Sequence, residues 1–173
     1  MAQQVDETFM QQLNQHLGIA HKVCGLYFSD AADKQDVVQE MLYQLWRSYR
    51  GFDGRSKFST WMYSVCLNTA LTYRRKESRR KSQPLLPSHH QIAEGPAGHQ
   101  EESLQLLYEA IAALSPLNKA IVLLYLEDLR YEEIAQITGL TKSTVSVRLV
   151  RIKKELETKL KKQESPYPHA NLR

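Results

Sequence analysis

The chain has 173 residues, 42% hydrophobic and 24% charged, the profile of a soluble globular protein with room for one domain or two small ones. Seven glycines and six prolines supply too few turn residues for an all-β fold. No run approaches the ~20 apolar residues of a membrane helix, and the start Met1-Ala2-Gln3-Gln4-Val5-Asp6-Glu7 lacks the basic and apolar parts of a secretory signal, so a cytoplasmic protein with no membrane insertion is expected. The net charge of +4 is modest. Its carriers gather at Arg74 to Lys81 and at Lys142 to Lys162, as two separate basic surfaces require.

Helical spacing dominates from the first residues onward. Phe9, Leu13, Leu17, Ala20, Cys24 and Tyr27 recur at three and four residues, which predicts a first helix over Asp6 to Phe28. Ser29-Asp30 ends it, and a second helix runs from about Asp33 to Tyr49 with Val37, Met41 and Leu45 on one stripe. Gly51-Phe52-Asp53-Gly54 is a break holding two residues able to take positive φ. Ser56 or Ser59 is placed to cap a third helix, which carries Trp61, Val65, Asn68 and Thr72 down to the basic run. From residue 82 to 100 the pattern fails, and Pro84, Pro87, Gly95, Pro96 and Gly98 read as a flexible linker. The chain therefore divides into an N-terminal domain 1–81, a linker 82–100, a C-terminal domain 101–162 and a tail 163–173. In the second domain Leu104, Leu107, Ile111 and Leu114 form a helical stripe. Ser115-Pro116 then supplies the cap and first residue of a helix reaching Leu126, and two more helices follow. The expected class is all-α, two small helical domains joined by a flexible linker.

The segment Tyr131 to Val145 is the most specific signal. A helix-turn-helix needs a small residue where its helices touch, a turn residue tolerant of left-handed backbone, and an apolar residue closing the corner. Ala135, Gly139 and Leu140 meet those needs, and Thr141 is placed to cap the last helix. Val145, Leu149, Ile152, Leu156 and Leu160 then face inward. A solvated basic face is the bland alternative for this helix, but turn, small residue and outward charge agree on duplex docking. Thr141, Ser143, Ser146, Val147 and Val150 are within reach of base edges. Arg130, Lys142, Arg148, Arg151, Lys153 and Lys154 are placed for phosphates.

The first domain looks different. Phe52, Phe58, Trp61, Tyr63 and Tyr73 lead into Arg74, Arg75, Lys76, Arg79, Arg80 and Lys81. Rings beside a cationic surface suit unstacked bases and a single-strand backbone. For Phe58 and Trp61 partial burial in the core is the better expectation, whereas Tyr63, Asn68 and Tyr73 fall off that stripe. Cys24 and Cys66 form no C-x-x-C pair, and His16, His21, His89, His90, His99 and His169 share no metal-ligand spacing. No phosphate loop or nucleophile motif is present. The reading is a non-enzyme with no metal, no cofactor and no catalytic residue.

The run Asp36-Val37-Val38-Gln39-Glu40-Met41-Leu42-Tyr43-Gln44-Leu45-Trp46-Arg47 resembles the D-x-x-Q-E-x-f-x-x-x-W core-binding helix of bacterial sigma factors. Phe52 to Tyr63 is similar to their F-x-x-x-x-x-F-x-T-W-L-y segment, and Asn68 to Tyr73 to the N-x-A-x-D-Y that follows. Leu114-Ser115-Pro116, Tyr131 to Ala135 and Thr144 to Leu149 resemble the family's promoter-reading helix-turn-helix. The likeness covers about residues 7 to 160, and two domains with nothing but a linker between them resemble the extracytoplasmic-function (ECF) group.

The resemblance implies that Asp36, Gln39, Glu40 and Trp46 dock on the clamp helices of the beta-prime subunit of RNA polymerase core, with the flap as a second contact. It implies that Lys57, Phe58, Trp61, Tyr63, Asn68, Tyr73, Arg74 and Arg75 hold the minus-ten element as melted strand. Arg130, Thr141, Lys142, Ser143, Thr144, Ser146, Val147, Arg148, Val150, Arg151 and Lys154 would read the minus-thirty-five element as duplex. The linker would run near the active centre and RNA exit path, an anti-sigma partner is implied, and the free chain is expected to be a monomer. Thr72, Ser143 and the Ser146-Val147 pair depart from the family pattern, all on the DNA-reading side. A stand-alone helix-turn-helix regulator is the alternative; it would bind duplex tightly without polymerase.

Overall fold

A computed structural model describes residues 2–81 and 99–164, and every described element is a helix or a turn. The stretches read as linker (82–98) and as most of the tail (165–173), with His89 and His90, lie outside the described residues.

The single N-terminal helix expected from spacing is two: α1 (Ala2–His16) and α2 (Gly18–Tyr27). Gly18, the poorest helix former after proline, stands at the joint, where the Ala20 N–H turns back to the Leu17 carbonyl at 3.1 Å. Helix α3 (Ala31–Ser48) begins earlier than expected because Asp30 caps it, accepting from the N–H groups of Ala32 (2.9 Å) and Asp33 (3.1 Å). Val37, Met41 and Leu45 are fully buried along it, as the stripe predicts. A 3₁₀ turn at Tyr49–Gly51 follows. Of the two glycines in the break only Gly54 takes positive φ, at 73°.

Helix α4 (Phe58–Lys81) starts where the Lys57 carbonyl accepts from the Trp61 N–H at 3.1 Å. Lys57 thus holds the cap position, and neither Ser56 nor Ser59 does. This helix packs against α2 and α3 on one side. There Met62, Cys66 and Ala70 are fully buried, i, i+4 and i+8 along it.

The C-terminal half comprises α5 (His99–Ala112), α6 (Pro116–Leu126), α7 (Tyr131–Thr138) and α8 (Lys142–Glu164). Helix α5 thus begins inside the segment read as linker. Ser115 caps α6 by accepting from the Asn118 N–H at 3.3 Å, with Pro116 as first helical residue. Helices α5 and α6 pack on α8, and α7 on both α6 and α8. Ile111, Leu114, Ile121, Leu124, Ile134, Val145, Leu149 and Ile152 are all buried.

The two halves do not stand apart. Helix α7 also packs against α4, and four side-chain hydrogen-bond groups cross the seam. The Tyr27 hydroxyl donates to the Pro116 carbonyl (2.8 Å), and the Thr60 hydroxyl to Glu133 Oε1 (3.2 Å). The Tyr63 hydroxyl donates to Glu127 Oε2 (2.9 Å), and Lys22 Nζ to both Glu127 oxygens (2.7 and 2.8 Å).

Candidate nucleic-acid interface

Helices α7 and α8 meet at the corner the sequence specifies. Gly139 takes φ 70°, and the Leu140 N–H reaches back to the Ala135 carbonyl at 3.1 Å. An added Cβ at Gly139 would meet nothing within 4 Å, so backbone conformation alone calls for glycine here. Thr141 caps α8: its hydroxyl accepts from the Thr144 N–H at 3.2 Å. Val145, Leu149 and Ile152 point into the core.

That burial turns the other faces of α8 outward. Thr141, Lys142, Ser143, Val147, Val150, Arg151 and Lys154 are exposed, as is Arg130 ahead of α7, while Thr144, Ser146 and Arg148 are half-buried. Val147 (50%) and Val150 (67%) are apolar groups left in water, the kind of surface a thymine methyl group contacts. The cations are not equivalent. Lys142 pairs with Glu132 across the corner, Arg148 Nη1 donates to Asn118 Oδ1 at 3.2 Å, and Lys153 donates to the Tyr125 hydroxyl at 3.0 Å while sitting over its ring. Arg151 and Lys154 project from the helix with no such tether among the described residues.

On α3 the residues read as a protein-docking face are all exposed: Asp36, Gln39, Glu40 and Trp46. Trp46 is 59% and Tyr43 51% exposed, their ring centroids 6.5 Å apart. Two large aromatic rings left in water beside carboxylates mark a contact surface better than a solvated flank. Next to this face, between α3 and α4, lies a groove of about 810 Å³ whose lining includes Glu40, Gln44, Asn68, Thr72, Tyr73 and Lys76. Glu40, read as a docking residue, and Asn68 and Tyr73, read as strand-holding, therefore line one groove.

Other residues of the melted-strand set sit elsewhere. Phe58 is 8% exposed, inside an aromatic cluster with Trp61 (5.3 Å), Phe52 (6.0 Å) and Tyr49 (6.3 Å). Trp61 is half-buried there. Tyr63, expected off the core stripe and free for a base, is 3% exposed. The expectation fails because α4 is covered on two sides, with α7 and the α6–α7 turn over Thr60 and Tyr63. Burial first, then the Glu127 carboxylate it serves, pushes the Tyr63 phenol far above its ordinary range. Lys57, Asn68 and Arg75 are exposed, and Tyr73 is half-buried with its ring edge-on to Phe28 at 5.7 Å. The Arg74 guanidinium lies over the Tyr27 ring at 5.6 Å.

The seam residues Lys22, Tyr27, Thr60, Glu127 and Glu133 have no motif in the sequence, since their partners stand 64 to 105 residues away.

A helix-turn-helix with an outward polar face, joined to a helical domain with its own aromatic and basic surface, defines a two-domain DNA-binding factor of the all-α class. Residues 13–80 match the family described as sigma-70 region 2, and residues 104–156 that described as sigma-70, region 4. An ECF RNA polymerase sigma-E factor of Haemophilus influenzae is 32% identical over 155 residues, 81% of this chain and 82% of that one. Its counterpart in Escherichia coli K12 is 31% identical over 81% of each chain. Among solved structures, the sigma factor RpoE of Bartonella quintana, bound to the anti-sigma factor NepR, superposes with a TM-score of 0.73 at 24% identity. That match covers 90% of this chain and 98% of the other. CnrH, in complex with the cytosolic domain of CnrY, gives 0.64 at 19% identity over 90% and 89%. The chain belongs to the ECF sigma factors of the sigma-70 family, non-enzymatic factors that act with RNA polymerase in promoter-specific transcription initiation. No described helix is long and apolar enough to cross a membrane.

Proposed function

We propose that this sigma factor reads its promoter in two physical states, the minus-thirty-five element as duplex and the minus-ten element as melted strand. The observation that carries this is the presence of two unlike surfaces. On α8 a convex face with exposed Val147 and Val150 flanked by Arg130, Arg151 and Lys154 suits a major groove. On α3 and α4 the groove with Asn68, Thr72 and Tyr73 at its side, with Lys57 just ahead of α4 and Arg74 and Arg75 along it, suits splayed bases and a single backbone. Unstacking costs a few kcal/mol per base and stacking on a ring returns about 1 to 3 kcal/mol, so this surface traps opened DNA rather than opening it alone. Asp36, Gln39, Glu40 and Trp46 are the polymerase contacts, supported by the exposure of Trp46 and Tyr43 on the same helix. Phe58 and Trp61 shape the loop from within their ring cluster, and Tyr63 joins the strand-holding set only once α7 moves off α4.

The partner that keeps the factor idle is an anti-sigma protein, the class of protein bound in the Bartonella quintana neighbour. An apolar groove of about 460 Å³ with Leu26, Ile111, Leu123 and Leu126 in its lining spans the two halves. Tyr108 (47%) and Leu126 (62%) are left exposed beside it. A partner helix with an apolar stripe fits this groove, and the factor works where polymerase is, in the cytoplasm.

The test is transcription from a randomised promoter library with purified polymerase core. Added protein creates selective initiation, and the start sites map two elements of separate sequence. Duplex binding without any binding of core or change in initiation would return the stand-alone regulator.

A further inference from the structure

Three arginines of α4 gather at the seam, and among the described residues no carboxylate is paired with them. Arg74, Arg75 and Arg79 of α4 line a cavity of about 480 Å³ whose wall is shared by Ser115 and Pro116 at the start of α6. Arg74 Nη1 is buried from solvent and has no hydrogen-bond partner. Tyr27 gives that guanidinium its ring face, while the Tyr27 hydroxyl is committed to the Pro116 carbonyl. Lys119 closes the first turn of α6, its N–H on the Ser115 carbonyl at 2.9 Å. It is only 3% exposed, and no hydrogen bond or ion pair holds it among the described residues. Burial above all, and then the nearby Arg74 charge, bring its ammonium down to about 8.

A guanidinium nitrogen shut off from water, with a second positive charge near it and no hydrogen-bond partner, is an expensive arrangement. An anion beside it reverses the sign of that cost. The cavity has the means to hold one: guanidiniums able to bind two oxygens at once and, on the wall from the other half, the Ser115 hydroxyl. Its volume suits one or two phosphate groups and not a duplex. The contributors also lie on opposite sides of the seam, so a bound anion ties the halves together.

We propose that this junction is a binding site for a small, free phosphate-bearing anion, held by Arg74, Arg75 and Arg79 of one half and Ser115 of the other, and that its occupancy favours the closed arrangement of the two halves. Because Arg74 and Arg75 also belong to the proposed strand-holding set, occupancy and open-promoter capture compete.

Inorganic pyrophosphate is the probe, titrated calorimetrically into the full-length chain at fixed ionic strength, with neither polymerase nor DNA present. A single saturable site is expected, and the thermal midpoint rises with it. Arg74→Met removes the guanidinium whose buried nitrogen lacks a partner; it weakens binding at least tenfold and abolishes the thermal response. Arg79→Gln weakens binding severalfold. Lys161→Met, at the far end of α8, binds as the parent does. Equal binding by the parent and Arg74→Met overturns the site, and so does a thermal response that sodium chloride of matched ionic strength reproduces. Neither outcome touches promoter reading, which these measurements do not involve.

Discussion

Glu127 is the residue on which the seam turns, and replacing it separates two kinds of contribution. Its carboxylate receives the Tyr63 hydroxyl at 2.9 Å and Lys22 Nζ at 2.7 and 2.8 Å. Tyr63 is 3% exposed, so Glu127→Ala leaves a phenol without an acceptor inside the seam, a penalty of about 1 to 3 kcal/mol. The Lys22 side chain is 52% exposed, and an ion pair so open to water contributes at most about 1 kcal/mol. Together the closed form loses about 2 to 3 kcal/mol, a shift of roughly 30- to 150-fold toward the open form. Glu127→Gln keeps an acceptor for Tyr63 and loses only the charge, so its effect stays below about tenfold. The assay is energy transfer between dyes on cysteines introduced at Arg47 and Lys161, one in each half, followed through a shallow urea series. The opening midpoint falls for Glu127→Ala and barely moves for Glu127→Gln. In a double-mutant cycle with Tyr63→Phe the two changes are strongly non-additive. An unchanged opening midpoint for Glu127→Ala refutes the idea that this carboxylate holds the halves together. The pH arm has a definite sign. Lys22, with help from Tyr63, holds the Glu127 carboxyl below its ordinary value, so its contribution is complete above about pH 4.5 and is lost as pH falls through the lowered value.

Three further outcomes follow from the same geometry. Gly139→Ala costs about 1 to 2 kcal/mol in a urea titration, since φ is 70° and left-handed backbone carries that penalty for a Cβ; with open space around the position, a loss above about 3 kcal/mol means a clash the structure lacks. Burial pushes the Cys24 thiol up to about 11 and the Cys66 thiol up to about 12, so alkylation at pH 8 proceeds no faster than unfolding; rapid labelling of either contradicts the packing of α2 on α4. With about five phosphate contacts, the slope of log affinity for a duplex promoter fragment against log salt is roughly −4 to −5. Arg151→Ala and Lys154→Ala each make it shallower by about 0.9, while Arg148→Ala, tied to Asn118, changes it less; equal effects from all three would mean that Arg148 leaves Asn118 on binding DNA.

The elements that packing on one side explains were legible from spacing. Val37, Met41 and Leu45 on α3, and Val145, Leu149 and Ile152 on α8, each face a single core, so an apolar stripe at three and four residues describes them fully. Gly139 and Ser115-Pro116 were legible because turn and cap chemistry is local. Helix α4 resists such reading. It buries Met62, Cys66 and Ala70 toward its own half and Thr60 and Tyr63 toward the other, which smears the periodicity and makes Tyr63 look like an outward ring. Long-range burial of polar side chains leaves no local trace either, so Lys119 on α6 reads as an ordinary surface lysine. The docking face on α3 shows the converse: exposure of Trp46 against its hydrophobicity was signalled only by the family motif.

The character of the seam fits a protein whose halves part, as the proposed strand-holding role of α4 requires. Within each half the buried groups are aliphatic and aromatic, and separating them costs about 25 cal/mol for every Å² exposed. Across the seam the specific contacts are instead hydroxyls, two carboxylates and an ammonium. Each of these finds water when the halves part, so the net gain from any one contact is only about 1 kcal/mol. Such a seam closes the molecule without locking it. The same helix explains why closure matters: α4 supplies Thr60 and Tyr63 to the seam and Asn68, Tyr73 and Arg75 to the proposed strand-holding surface. A partner that draws α7 away, as a flap of polymerase or a minus-thirty-five duplex gripping α8 would do, uncovers the start of that surface. A partner or an anion that bridges the halves keeps it covered. Opposite regulatory inputs can therefore act through one equilibrium, with no change in the fold of either half.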